Sequence, residues 1–511
     1  MKIFVNKKAG TSILSLIVLS TIFIMSGVGN CVPNRMTTSM QSGAPASNSI
    51  GDIVFDGNCI WVATGDGISR TCDGGQNWEH FLRGKSFSAM CFAYGKIFAE
   101  AAYDTEIAGT SYPVGEKLYW TDADDEPVQW YELAPWQMCL VPDLSFSAML
   151  SYDLVAVAYD GDTALWSANW YGGLSRSFDW GENWENILWS DTSYNVADSG
   201  TIVDTTIYED RDSILAFVLE NGDYHSRLLY AVVADTSAEP PIVYCGTASG
   251  IFAIQDTVWW RSRTNQGLTG NWCVALAVQY LTSGKTIVWA ASRAVPDESG
   301  QIDAICYSTD NGASWDTLAT YIMCWNFAFG CDAAFFACED GFYTADVREE
   351  GDSVVIDDFE EIDIVDSESG FRLPLDEMIS ACVVGDTVWA GSDFGLAFSP
   401  DCGENWKILF TPQSPEWEKT YAFPSPFSPF NHGAMFFVFN NPEQGEVELK
   451  IFDFALDEVF SQKNFFYAGT GMMFQWNGRD NDGEYPANGI YHYRIALPDG
   501  TKLFGKFALL K

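Results

Sequence analysis

The stretch SFDWGENW, Ser177 to Trp184, recurs along the chain in altered form. Thr71 to Trp78 reads TCDGGQNW, Ser308 to Trp315 reads STDNGASW, and Ser399 to Trp406 reads SPDCGENW. All four fit Ser/Thr-x-Asp-x-Gly-x-x-Trp, and self-similarity at intervals is the mark of a repeat architecture. Strand-like residues and a Gly-containing turn precede three of them, in WVATGDGISR, WSANWYGGLSR and WAGSDFGLAF.

The residue types suggest a turn. The hydroxyls of Thr71, Ser177, Ser308 and Ser399 and the carboxylates of Asp73, Asp179, Asp310 and Asp401 can accept backbone N–H bonds inside a tight loop. Gly75, Gly181, Gly312 and Gly403 supply a positive φ. Trp78, Trp184, Trp315 and Trp406 then offer a large ring for packing. On this reading the sixteen residues are structural, and the Asp is not a catalytic acid.

The four Asp positions are separated by 106, 131 and 91 residues. The motif resembles the Asp-box repeat of β-propellers, and at about 40–50 residues per propeller blade each gap holds about two blades. Degenerate copies fill the gaps at residues 86–133, where KIFAEAAYD and KLYWTD precede Trp130, at 208–268, around VYCGTASGIFAI, and at 323–364, around FFACEDGFYTAD. The count is seven blades over residues 49–410, with six and eight left open by the length of 208–268. The motif resembles the Asp-box, or BNR, repeat of sialidases, sortilin-type receptors, xyloglucan-cleaving glycosidases and photosystem assembly factors. That resemblance implies an all-β propeller whose boxes staple hairpins.

Composition agrees with an all-β chain: aromatics make up 15% of the 511 residues, charged residues only 19%, and Gly occurs 44 times. The mix suits many short strands joined by tight turns. The formal net charge is −42, and its dispersed acidic surface disfavours nucleic acid and anionic lipid as partners.

At the N-terminus, Lys2, Lys7 and Lys8 precede the apolar run Ile13 to Met25, and Gly27 and Gly29 follow. This reads as a signal peptide over 1–29 with a linker over 30–48. The apolar run is short for a span of about 20 residues, so the mature chain is expected to carry no transmembrane helix. VGNC ending at Cys31 loosely resembles a lipobox, but Asn30 is a poor residue ahead of a lipidated Cys, and cleavage near Gly29 is the expectation.

Thirteen Cys in an exported chain would ordinarily point to disulfides. Here Cys91, Cys273, Cys324 and Cys382 sit inside apolar runs and read as small buried hydrophobes. A disulfide among Cys324, Cys331 and Cys338 stays open. There is no C-x-x-C, and only four His are present, so no metal or cofactor is expected.

Composition shifts at 411–420, TPQSPEWEKT, which reads as a linker. In 421–511, ELKIFDF and IYHYRIAL alternate with strand period and DNDG is a hairpin turn, which describes a small β-sandwich. Asp480, Asp482 and Glu484 fall short of a calcium-loop ligand set and read as part of that turn. FPSPFSPF (Phe423 to Phe430), the segment WNGRDNDGEYPANGIYHYRI ending at Ile495, and the terminal GKFALLK resemble the FlgD-type Ig-like domain of proteins exported by type IX secretion. The resemblance implies an extracellular or outer-membrane-associated location and a contact with the secretion machinery. Few contacts are expected across the boundary near Tyr421.

Two functions survive. One is a non-catalytic propeller that binds an extracellular glycan or protein. The other is a glycoside hydrolase of the sialidase or xyloglucanase-like type, which needs two carboxylates across the scissile bond. The absence of an early R-I-P-type motif and room for only one propeller favour the binder. Trp120, Trp170 and Trp260 are candidates for stacking on sugar, though core packing is the commoner fate of a Trp.

Overall fold

The computed structural model describes residues 41–107, 110–133, 151–159, 162–169, 173–189, 205–208, 228–256, 258–295, 299–351, 353–374, 377–411 and 415–511. The signal peptide, Cys31 and Trp170 lie outside the described residues. Among those described, no helix is long and apolar enough to cross a membrane. Contacts divide the chain into two compact units, Met1–Ile362 with Asp376–Asp393, and Asp363–Leu375 with Phe394–Lys511.

The first unit is a succession of antiparallel sheets, each made from consecutive strands. The first joins Ile50–Phe55, Ile60–Thr64, Gly67–Thr71 and Asn77–Phe81, with Gln41–Ser42 added at its outer edge. The next sheets begin at Ser86–Ala93, Ser151–Tyr159, Leu229–Asp235, Trp272–Tyr280 and Cys324–Gly330. The pair Met378–Val384 and Thr387–Ser392 comes last. Second strands such as Ile60–Thr64, buried at every residue, are covered on both faces and read as unbroken apolar runs.

Each opening strand lies beside the opening strand of the next sheet, and Met378–Val384 returns to lie beside Ile50–Phe55. This closed ring is a β-propeller. The closure is bonded: Ser49 Oγ donates to Asp393 Oδ1 at 2.7 Å, and the Trp78 and Trp389 rings meet edge-on at 6.3 Å. Radial repetition of this kind confines the unpaired edges to the outermost strand of each sheet.

Every opening strand carries a one-residue bulge at the same place. The register shifts fall between Ile50 and Asp52, Phe87 and Ala89, Ser151 and Asp153, Leu229 and Ala231, Cys273 and Ala275, Cys324 and Asn326, and Met378 and Ser380. A bulge leaves one residue out of the ladder and re-aims its side chain.

The second unit contains the antiparallel pair Gly395–Ser399 and Lys407–Leu409 and a β-sandwich. One sheet of the sandwich runs Thr420–Phe423, Met435–Asn441, Gly469–Trp476; the other runs Glu458–Phe466, Gly445–Phe452, Gly489–Ala496, Lys502–Leu509. Phe427, in the middle of FPSPFSPF, is fully buried in the core with Phe437, Trp476, Tyr493 and Phe507. Its N–H donates to the Ala508 carbonyl and its carbonyl accepts from Leu510 N–H, which ties the terminal strand to that segment. Asp480 Oδ1 accepts from the N–H groups of Asp482 and Glu484, so its carboxylate closes a turn.

Contacts do cross the composition shift at Thr411. Phe410 packs against Phe423 and Phe436, Phe371 against Phe436, and Gln475 donates to the Ser369 carbonyl. The sequence suggested few such contacts because a Pro-rich polar stretch usually marks a free linker. The aromatic residues on both sides of it decide otherwise.

Two cysteine readings need correction. The spacings argued against disulfides, yet Cys59 and Cys72 are bonded, with Cα atoms 4.2 Å apart, and Cys331 and Cys402 are also in disulfide form. Cys59 and Cys72 flank the register pair Ile60–Thr71, so their proximity follows from strand pairing, which linear spacing does not reveal. Cys91, Cys273 and Cys324 are buried free thiols, as are Cys245, Cys306 and Cys338, but Cys382, read as a buried hydrophobe, is a free thiol only half-buried.

Candidate functional site

The four repeated turns share one set of bonds, except that the Trp315 indole N–H of the copy at Ser308 finds no acceptor. In Ser177 to Trp184, Ser177 Oγ donates to Asp179 Oδ1 at 2.8 Å and accepts from Gly181 N–H at 2.8 Å. Asn183 gives its backbone N–H to Oδ1 and its side-chain amide to Oδ2 of the same Asp. The Trp184 indole donates to the Gly181 carbonyl at 3.0 Å. Thr71, Asp73 and Gly75 repeat this around Asn77 and Trp78. Ser399, Asp401 and Gly403 repeat it around Asn405 and Trp406.

In the copy at Ser308, Asp310 and Gly312, Ser314 takes the Asn role. The residue ahead of Trp is thus a member of the motif that the sequence pattern left as x, although Asn stands there in three copies and Ser in the fourth.

Gly181 has φ +93°, and a Cβ there would come within 2.9 Å of Leu118 and Leu133. Desolvation pushes the Asp179 carboxyl up, but the bonds from Asn183 and Ser177 outweigh it and hold its pKa below the ordinary value. Asp179→Ala is expected to cost on the order of 1–3 kcal/mol through the stranded turn amides. Chemical denaturation checks this, and an unchanged midpoint would contradict the turn role.

None of the sixteen turn residues lines the cavity between the opening strands. That cavity, about 360 Å³, is walled by the opening strands of the propeller, and the bulges shape it. Gly51, Ser88, Tyr230, Val274, Trp325 and Ile379 are bulge residues, and all of them line it.

One arc of the wall is small and acidic: Gly51, Asp52, Ser86, Ser88, Asp153 and Asp393. The other is aromatic and cationic: Tyr230, Trp272, Arg293, Trp325 and Phe327.

On the acidic arc, Asp52 Oδ1 accepts from Ile53 N–H and Oδ2 from Met90 N–H on the next opening strand. Asp153 does the same, with Leu154 and Val232. Each carboxylate therefore clamps two neighbouring strands. Desolvation raises both pKa values against these N–H bonds, Asp52 to about 6 and Asp153 to about 8, with the Asp52 charge adding to the second shift.

On the aromatic arc, Arg293 lies opposite Trp272 in the ladder. Its guanidinium sits 4.8 Å from the Trp272 ring centroid and 5.9 Å from that of Trp325. The Tyr230 ring lies 5.6 Å from Trp272.

Two of the Trp candidates are accounted for elsewhere. Trp120 stacks on Tyr131 at 4.5 Å beneath the Lys96 ammonium, and Trp260 donates to the Asn311 carbonyl at 3.1 Å. The exposed Asp346 and Asp358 and the half-buried Asp357 cluster within 4.8 Å, and Arg348 supplies countercharge to Asp346 and Asp357.

The closed ring of sheets and the cavity at its centre define a β-propeller protein, and the chain continues into a β-sandwich. No family model matches the sequence, and no curated protein matches it. Among solved structures, the fold is similar to PorZ, a surface component of the type-IX secretion system of Porphyromonas gingivalis, at 12% identity, over 89% of this chain and 64% of that one, TM-score 0.32. It is similar to an ancestral GH74 enzyme at 13% identity, over 72% of this chain and 48% of that one, TM-score 0.44. A third is YCF48 from Cyanidioschyzon merolae, at 12% identity, over 78% and 95%, TM-score 0.31. The chain spans less than two thirds of the length of the first two.

Proposed function

We propose that this is a secreted or surface-displayed protein whose seven-bladed Asp-box propeller binds a small glycan-derived ligand in its central cavity without turning it over. The observation that carries the reading is the cavity itself. It has the size of a small-molecule site, aromatic walls on one side and hydrogen-bonding groups on the other. Its Asp52 and Asp153 oxygens already hold backbone N–H groups, which suits a scaffold role better than a catalytic one.

A glycosidase is the second reading, favoured by one fact. Two carboxyls in one cavity have pKa values pushed to about 6 and about 8, and unequal pKa values are how acid and base are told apart in such enzymes.

A glycan array combined with a hydrolysis screen on the full chain separates the two. Retention without released product supports the binder. Turnover lost in Asp153→Asn makes it an enzyme.

The sandwich is, on this reading, a FlgD-type export module, supported by the tie between FPSPFSPF and the last strand. An inert reporter carrying residues 415–511 should reach the surface of a host with type IX secretion. A reporter left in the periplasm would reduce the sandwich to an accessory domain.

A further inference from the structure

Arg293 is anomalous in this protein. The chain carries 69 acidic and 27 basic residues, yet among the described residues the Arg293 guanidinium makes no hydrogen bond and no ion pair. Its Nε is buried without a partner, and so is the indole Nε1 of Trp272 beside it.

Asp303 and Glu339 are near enough to favour its charge, but burial weighs more and draws its pKa down. One oxygen of Asp303, Oδ1, accepts from Ala294 N–H at 2.8 Å instead. Its close neighbours are rings, Trp272 and Trp325, whose faces steady a cation but accept no conventional hydrogen bond.

A half-buried guanidinium without an acceptor is costly unless a ligand supplies one. A planar fork of N–H donors fits a carboxylate, two oxygens at once. The opposite arc adds the Ser86 hydroxyl and the Asp393 carboxylate, and these suit the hydroxyls of a polyol. About 360 Å³ admits a ligand of one or two sugar rings.

We infer that Arg293 and Trp272 form a carboxylate subsite, and that the cavity takes an acidic sugar of the uronate type, its carboxylate on Arg293 and its hydroxyls on the acidic arc. This rests on the cavity being the ligand site. The ring positions follow from the bulges, which carry Tyr230 and Trp325 to the cavity wall. No turnover is involved, so nothing but binding needs explaining.

The test compares D-galacturonate with D-galactose and D-glucuronate with D-glucose, as monosaccharides and disaccharides. Binding to the full chain is read by calorimetry and by the fluorescence of the indoles flanking Arg293. The acids should bind at least about tenfold tighter than their neutral partners, the scale of a charge-assisted bidentate contact.

Arg293→Met should erase that preference, and Arg293→Lys should restore part of it. The thermal midpoint of the ligand-free Met variant should not fall, because an unpaired charge has been removed. Neutral sugars binding as well as acids, or an Arg293→Met variant that keeps the preference, would overturn the subsite and leave the cavity reading standing. No binding of either kind, with Arg293→Met folded normally, would overturn both.

Discussion

Raising the pH from about 5 to about 8 at fixed high salt should lower the apparent unfolding midpoint of the propeller. The cause is the pair of cavity carboxyls. Their folded pKa values, about 6 for Asp52 and about 8 for Asp153, lie above the 3.8 of the free side chain. An acid whose pKa rises on folding binds more protons folded than unfolded. Its contribution is most favourable below the unfolded value and is lost as pH rises through the folded one. At about 1.4 kcal/mol per unit, Asp153 dominates. Because both groups face a cavity rather than packed core, the loss is on the order of 2–5 kcal/mol.

The turn carboxylates Asp73, Asp179 and Asp310 act in the opposite sense. Desolvation is outweighed by their hydrogen bonds, their pKa values are lowered, and their stabilisation disappears as pH falls below the ordinary carboxylate range. Stability should therefore peak in mildly acidic solution. Surface repulsion from a net charge of −42 also grows with pH, but 0.5 M NaCl screens it and leaves the buried pair largely unscreened. Thermal scans from pH 4 to 9, with and without Asp153→Asn, check this. A midpoint that climbs steadily from pH 5 to 8 would show that these carboxyls ionise without cost.

Trp184→Ala should destabilise the propeller by roughly 3–5 kcal/mol, the range for deleting a buried aromatic. The indole is 8% exposed and packs with Phe98, Leu118, Leu154 and Leu165, which belong to two successive sheets. Its loss opens a void between those sheets and strands the Gly181 carbonyl it served. Denaturant titration measures the change. A loss below about 1 kcal/mol would mean that the sheets close over the void.

The four intact turns made the fold legible, because their chemistry is local: hydroxyl, carboxylate, Gly and Trp act within eight residues of each other. Of the degenerate copies, residues 209–227 lie outside the described residues, while KIFAEAAYD, VYCGT and AAFFAC fall on the strands Lys96–Ile107, Ile242–Thr247 and Ala333–Cys338, and Trp130 is buried.

The cavity was not legible. Asp52, Asp153 and Arg293 are three charged residues among many, and nothing beside them in sequence marks them. They acquire meaning through the bulges, which exist only once strands are paired. The traces in IGDI, FSAM, SYDL, LYAV, CVAL, CWNF and MISA are too short and varied to align without the ladder register. Cys59 and Cys72 were missed for the same reason, and Phe371 and Phe436 because they meet across 65 residues of chain.

The claim that the central cavity is the ligand site is tested most directly by filling it. Ser88 is a bulge residue on the cavity wall, so Ser88→Trp places an indole in the space a sugar would occupy. Binding of the best ligand from the glycan array, measured by calorimetry on the full chain with its circular dichroism unchanged, should fall at least about a hundredfold, the scale of a sterically filled site (about 2.7 kcal/mol). Wild-type affinity in the folded Ser88→Trp variant would place the ligand elsewhere on the propeller and contradict the account.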